Sequence, residues 1–471
     1  MKYRVYKDIY WKARITVMAF VITTMAFSQV GIGTSNPDAS AALDITSNDK
    51  GLLPPRLTNA QRNSITPPIA VGLMIWCTDC GSDGELQVFN GDIWTNMGIA
   101  GIASSRVYQT MGSTFNGETA NDQFGSSVAL SAEGTRLAIG AHNTDAGYVR
   151  IYDWNGATWQ QTGVDIDGEA AGDSSGYSIA LSADGTRVAI GAPANNGAVG
   201  HVRLYDWNGS AWGQIGADID GNVVESLSGF SVALSSDGLR VAIGAIGNNS
   251  YTGQVRIYDW NGSAWVQTGA NINGEAADDW SGFSVALSAD GMRVAIGAPN
   301  TDAGYVRIYD WNGSMWLQTG EDINGEATGD YSGYSVAISA DGTRVGIGSP
   351  TNDDNGNTSG QVRIYDWNGL SWVQTGEDIE GEDEGDRSGT SISLSADGTR
   401  VAIGAPHNDN IGDYAGHVRI YDWNGWAWVQ FGEDINGEAA GDSSGYSVSL
   451  SANGTRVAIG TEVVGKVKVV E

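Results

Sequence analysis

The side chains best suited to chemistry in this chain are its carboxylates. Acidic and amide residues recur in connections of the form Glu-Asp-Ile-Asn-Gly-Glu-Ala-x-Gly-Asp, and Asp165, Asp167, Glu169 and Asp173 make one such set. Carboxylates so close together in a Gly-rich loop could hold calcium, a hard cation that takes oxygen ligands. The same residue types also cap turns and keep an acidic chain soluble, and both readings stay open. Cys77 and Cys80 are spaced C-x-x-C and are the two cysteines of the chain. That spacing suits a redox pair or half of a zinc site in a reducing cell. In an exported chain without a second Cys/His pair nearby it suits a local disulfide, the reading adopted here. The four histidines, His142, His201, His407 and His417, fall in loops of the first, second and sixth copies of a repeat and are expected on the surface, too scattered for one metal centre. Gly172-Asp-Ser-Ser-Gly176 and Gly441-Asp-Ser-Ser-Gly445 match G-x-S-x-G. A nucleophile elbow needs a strand-to-helix turn, and the Ser position is Trp280, Tyr331 or Arg387 in other copies. No zincin, phosphate-loop or dinucleotide fingerprint occurs, so no catalytic residue is assigned.

What must position these residues is a repeat. The Gly of a Gly-aromatic pair falls at Gly125, Gly176, Gly229, Gly282, Gly333, Gly389 and Gly445, with spacings of 51, 53, 53, 51, 56 and 56 residues. In the first unit Ser127–Ser131 and Arg136–Gly140 read as short apolar strands joined by a two-residue Glu133-Gly134 turn. Val149–Trp154 and Trp159–Thr162 read as a second pair, joined through Asn155-Gly156. Four antiparallel strands repeated seven times without helices predict an all-β, seven-bladed β-propeller over 106–471. The last unit stops after its third strand, and the missing fourth strand is expected near Val107–Met111 from the other end of the array. Such a latch removes two exposed sheet edges and closes the ring.

The chain has 471 residues and a formal net charge of -30. Five basic residues precede an apolar run from Ile15 to Phe27, which reads as a signal peptide over 1–28; without it 20 basic and 54 acidic residues remain. Such an acidic surface repels phosphate backbones, which argues against nucleic-acid binding. No later run is long and apolar enough to span a membrane, and a secreted or cell-surface location is expected. Residues 29–98 read as a small mixed α+β module, with a capping box at Thr58-Asn-Ala-Gln61 and a hairpin around Asn90-Gly91; 99–105 read as a linker. The module's wording, including Val-Gly-Ile-Gly-Thr and Gly-Leu-Leu-Pro-Pro-Arg-Leu-Thr, resembles a short module at the front of many exported bacterial surface proteins.

Phe124-Gly125, with Gly191-Ala192-Pro193, Gly297-Ala298-Pro299 and Gly404-Ala405-Pro406 after the second strands, resembles the FG-GAP repeats of integrin-alpha-like propellers. Thr390 and Thr461-Glu462 depart from that pattern. Blades of that family often hold calcium between their first two strands, but around Asp184 and Asp290 only the Asp-Gly remains, which implies a turn without a metal. The likeness implies protein or glycan ligands at an extracellular surface.

Length variation lies in the connections between strands two and three, where the spans from Gly to Val count 10, 12, 12, 10, 15 and 15 residues. Insertions confined to one face of a rigid scaffold mark a binding surface. The two longest loops supply Asn352, Asp353, Asp354 and Asn355, then His407, Asn408, Asp409, Asp413 and Tyr414 as candidate ligand contacts. Trp280 and Trp426 stand outside the regular two-Trp pattern of each unit and are candidates for a special contact. The expectation is therefore an exported, non-catalytic binding or adhesion protein. An architectural propeller without a specific ligand is the alternative, and a carbohydrate-active enzyme using loop carboxylates is a further one. Calcium is the one cofactor with a candidate site, and the oligomeric state is open.

Overall fold

A computed structural model describes residues 30–32, 43–45, 53–65, 69–78, 80, 85–89, 94–96, 107–119, 121–461 and 464–471. The segments read as a signal peptide (1–28) and a linker (99–105) lie outside them. The chain divides into two compact units, Met1–Ile102 and Ala103–Glu471.

In the first unit Arg56–Leu57 pairs in parallel with Met74–Cys77, which continues antiparallel to Glu85–Phe89 and then to Trp94–Asn96. The helix Asn59–Asn63 opens on the expected capping box, with Gln61 N donating to Thr58 Oγ1 at 3.2 Å and Thr58 N to Gln61 Oε1 at 2.9 Å. Arg62 ties that helix to the sheet through Gln87, at 2.7 Å. Cys77 and Cys80 are joined by a disulfide. The hairpin turn at Asn90-Gly91 lies outside the described residues, although its two strands pair.

The second unit is all-β. Among the described residues it forms seven sheets, six with their main strands in antiparallel chain order and a seventh whose last strand, Phe115–Asn116, comes from the start of the unit. The short first strands, such as Ser178–Leu181 and Ser284–Leu287, stand side by side from sheet to sheet, and Ser447–Leu450 of the seventh returns to Ser127–Leu130 of the first. They are therefore the innermost strands of a closed circuit. A circle of backbone hydrogen bonds follows the same path. Ala132 N donates to Ala183 O, Ala183 to Ser236, Ser236 to Ala289, Ala289 to Ala340, Ala340 to Ala396, Ala396 to Ala452, and Ala452 back to Ala132, all at 2.8–2.9 Å.

Packing between sheets explains the sequence of the second strand. In Arg187–Ala192, Val188 and Ile190 pack towards the preceding sheet with Val149 and Ile151, whereas Ala189 packs towards the following sheet with Val241 and Ile243. Large side chains thus meet small ones across each interface, which fills the space without voids. The repeated glycines meet here as well. A Cβ on Gly191 would lie 2.1 Å from the carbonyl oxygen of Gly229, which itself sits at φ +87°. The two glycines of the repeated motif therefore touch across neighbouring sheets, an approach that no larger residue permits.

The latch forms as the sequence predicts. Met111 N donates to Val469 O at 2.7 Å, Gln109 and Glu471 exchange backbone bonds, and Phe115–Asn116 pairs with Lys466–Val467.

Three local expectations need correction. The turns between first and second strands are longer than two residues: Leu130 pairs with Leu137, and Ser131 N donates to Arg136 O. Their extra residue carries the circle of hydrogen bonds described above. The turn after the third strand is also longer, because Asn155 Oδ1 accepts from the backbone of both Ala157 and Thr158. Trp154 consequently pairs with Trp159 and Tyr152 with Gln161. Finally, a fifth short strand, such as Ile166–Asp167, pairs with the start of the third strand and buries its Ile.

Candidate ligand-binding face

The loops between second and third strands emerge opposite the tight turns and fold back onto the connections between sheets. In the 351–360 loop Asn352 is buried, with its amide near Asp330 Oδ2 at 3.4 Å and its Oδ1 accepting from Asp354 N at 3.0 Å. Asp353 Oδ1 accepts from Thr358 N at 2.7 Å, and Asn355 Nδ2 donates to Gly381 O at 2.7 Å. The loop of the next sheet repeats this plan. Asn408 is buried and donates to Asp386 Oδ2 at 3.0 Å, and Asp409 Oδ1 accepts from Tyr414 N at 2.6 Å. The backbone carbonyl of Asp413 accepts from Gly441 N at 2.8 Å, and His407 packs edge-on against Tyr414.

The ten candidate contacts therefore divide by role. Asn352 and Asn408 are buried brackets that hold the loops, and Asp353 and Asp409 close the loops while staying exposed. Asp354, Asn355, Asp413 and Tyr414 also present surface to solvent. Trp280 lies on the same face and stacks on Phe283, with ring centroids 6.1 Å apart and an interplanar angle of 12°. Trp426 sits in the turn between third and fourth strands, on the opposite face.

Phe283 belongs to an arc that spacing alone does not reveal. Tyr177, Phe230, Phe283 and Tyr334, each just ahead of or at the start of an innermost strand, touch in succession at 4.9, 5.0 and 4.7 Å between centroids. His142 extends the arc, 4.9 Å from Tyr177, and bonds Ser126 Oγ through Nδ1 at 2.8 Å. Burial pushes His142 down to about 4 and pushes the Tyr177 hydroxyl up. All four rings of the arc keep partial exposure. In the sequence these residues are merely the aromatic half of the Gly-aromatic pair. Only closure of the ring brings them together.

A second feature marks this rim. Gln123, Ser174, Leu227, Trp280, Tyr331, Arg387 and Ser443 occupy one equivalent position, and all have φ between +52° and +59°. The left-handed region favours glycine and costs other residues roughly 1–2 kcal/mol. Near-identical repeats thus place their most divergent side chains where the backbone is least tolerant of them.

The four candidate calcium ligands take separate partners. Asp165 is held by both Arg150 Nε at 2.8 Å and Arg150 Nη2 at 2.5 Å. Asp167 is exposed on the whole, and partial desolvation of its carboxyl, followed by repulsion from Asp165 and Glu118, raises its pKa. Asp173 is buried and accepts from Ala170 N at 2.8 Å and Asn195 Nδ2 at 3.0 Å. Glu169 faces His201 instead. Asp184 accepts from Ser182 Oγ and Thr186 N at 2.7 and 2.9 Å, the turn role that its Asp-Gly implies. Two of the histidines depart from the expected surface location: His201 and His417 open third strands, are 1% and 0% exposed, and face the clefts between sheets.

Comparison with known proteins adds two findings. Residues 31–117 match the family model of a phage tail like trimerisation region. The chain is similar in structure to the β-propeller domain of Cps50 (Swd1) from Myceliophteria thermophila, with a TM-score of 0.53 and 12% identity over 77% of this chain and 99% of that one. It is likewise similar to Kuenenia stuttgartiensis hydrazine synthase, with a TM-score of 0.53 and 13% identity over 77% of this chain and 98% of that one. No curated protein sequence matches. At such identities the likeness shows the fold, and the fold is a β-propeller.

Proposed function

We propose that this chain is an exported, non-catalytic binding protein that engages protein or glycan ligands at an extracellular surface through the loop face of an FG-GAP-type propeller. The aromatic arc from Tyr177 to Tyr334, with Trp280 stacked beside it, carries this reading. Partly exposed rings in a row offer flat apolar area at low entropic cost, suited to sugar rings or to apolar side chains of a partner. The divergent left-handed positions supply polar and charged contacts around it. Backbone strain of this kind marks functional sites.

The match to a trimerisation region favours a second element of the reading, in which the N-terminal segment gathers three copies. Three propellers on one assembly would convert weak single contacts into avid binding. Light scattering on the purified chain without its signal peptide is expected to give about three times the monomer mass. Screening the same sample against glycans and cell-surface proteins, in calcium and in chelator, tests ligand binding. Binding that survives chelator retains adhesion and removes calcium from the account; no binding in either buffer favours a purely architectural role.

A further inference from the structure

The clefts between neighbouring sheets are built from equivalent parts: except in the third sheet, where the preceding connection has Asn222 and Ser226 at these positions, the first residue of a third strand faces acidic residues of the preceding connection. In most clefts the protein supplies a donor there. Tyr148 and Tyr305 donate hydroxyls to Asp122 and Asp279 at 3.2 and 2.8 Å. Gln361 donates to Glu326 Oε2 at 3.1 Å. In the seventh sheet Lys466 Nζ lies 3.3 Å from Glu438 Oε2 and 3.7 Å from Asp442 Oδ1, a built-in cation between two carboxylates.

The sixth sheet has His417 at this place, facing Glu382 and Asp386, the counterparts of Glu438 and Asp442. His417 is 0% exposed, and neither ring nitrogen makes a hydrogen bond. Nδ1 points at Glu382 Oε2 from 3.9 Å, beyond hydrogen-bonding distance. One ligand atom from each of Glu382, Asp386 and His417 lies within 4.8 Å of the others. A modest closing motion would bring them onto a shell of about 2.1 Å radius. From this geometry we infer that Glu382, Asp386 and His417 bind a divalent transition-metal ion of the zinc class, in the place where Lys466 puts an ammonium in the next cleft.

The chemistry of the donors selects the ion. Calcium takes six or more oxygens, whereas an imidazole with two carboxylates suits zinc or cobalt and leaves a coordination position open. The surrounding groups are placed as an outer shell. Asn408 Nδ2 donates to Asp386 Oδ2 at 3.0 Å and Asn410 Nδ2 to Glu382 Oε2 at 3.3 Å, which orients both carboxylates. Arg419 lies 3.5 Å from Glu382 Oε1, leaving the other oxygen towards His417. Glu382 keeps 33% of its side chain exposed, which provides a route of entry. A related set occurs in the second sheet, where His201 Nδ1 lies 3.9 Å from both Glu169 Oε2 and Asp218 Oδ2. Glu169 is more open to solvent than Glu382, so binding there should be weaker.

The inference does not rest on ligand binding at the loop face, and the test uses metal alone. The full chain without its signal peptide is stripped with chelator and titrated with Co²⁺ and with Zn²⁺, in excess calcium that occupies oxygen-only surface sites. Wild type is expected to develop the visible absorption of nitrogen-ligated cobalt, displaced by zinc, and to show a zinc-dependent rise in melting temperature. His417→Gln places the residue of the fifth sheet's cleft in the sixth; it should lose the tighter equivalent, with affinity at least tenfold lower. Glu382→Gln must lose the same equivalent, which guards against a folding defect in one variant. No saturable cobalt binding by wild type, or unchanged stoichiometry and affinity in both variants, would overturn the site.

Discussion

The residue that does most to join one sheet to the next is an arginine at the start of each second strand. Arg240 forks onto Asp259 at 2.6 and 2.7 Å, donates to Gly291 O of the next sheet at 2.9 Å, and lies 5.5 Å from the Trp316 ring. Lysine keeps the charge but has neither the fork nor the flat face. Arg240→Lys should therefore lower stability by about 1–2 kcal/mol, read from a urea midpoint. His142 gives a pH test at the same scale. Its pKa is about 4 in the folded chain against about 6.5 unfolded, so between these values the unfolded chain binds the extra proton. Its contribution is present above pH 6.5 and is lost as pH falls towards 4. His142→Gln should flatten that loss by about 2 kcal/mol between pH 7 and 4.5, measured by urea unfolding at each pH. Neither role was legible in the sequence, because their partners come from other strands: Arg240 and Gly291 are 51 positions apart.

At the scale of elements, the repeat made most of the second unit legible. Apolar runs bounded by Gly placed the strands, and the missing fourth strand of the last unit located its substitute near Val107–Met111. Tyr108 adds a hydroxyl bond to Phe431 O at 2.8 Å, and Met111 and Phe115 are buried against the returning end of the chain. A chain beginning at Ala103 should thus be about 3–5 kcal/mol more stable than one beginning at Asn116. Equal melting temperatures would show that the latch contributes nothing. Turn lengths were misread for a physical reason: Asn155 caps its own loop, and Ala132 bonds a neighbouring sheet, and neither interaction leaves a trace in local spacing.

For the whole molecule, closure of the ring is what brings distant residues together. It brings Tyr177, Phe230, Phe283 and Tyr334, more than 150 positions from first to last, into one continuous arc. It also arranges equivalent clefts whose gatekeepers differ, so that Tyr148, Tyr305, Gln361 and Lys466 satisfy their acids and His417 does not. The length variation of the loops was legible; the arc and the clefts were not, because they depend on neighbours in adjacent sheets. The most direct test of the loop-face account compares wild type with the double variant Phe230→Ala/Trp280→Ala on one panel of glycans and cell-surface proteins. The account predicts that hits with wild type weaken at least tenfold in the variant while its melting temperature stays within a few degrees. Undiminished binding by a folded variant would contradict it.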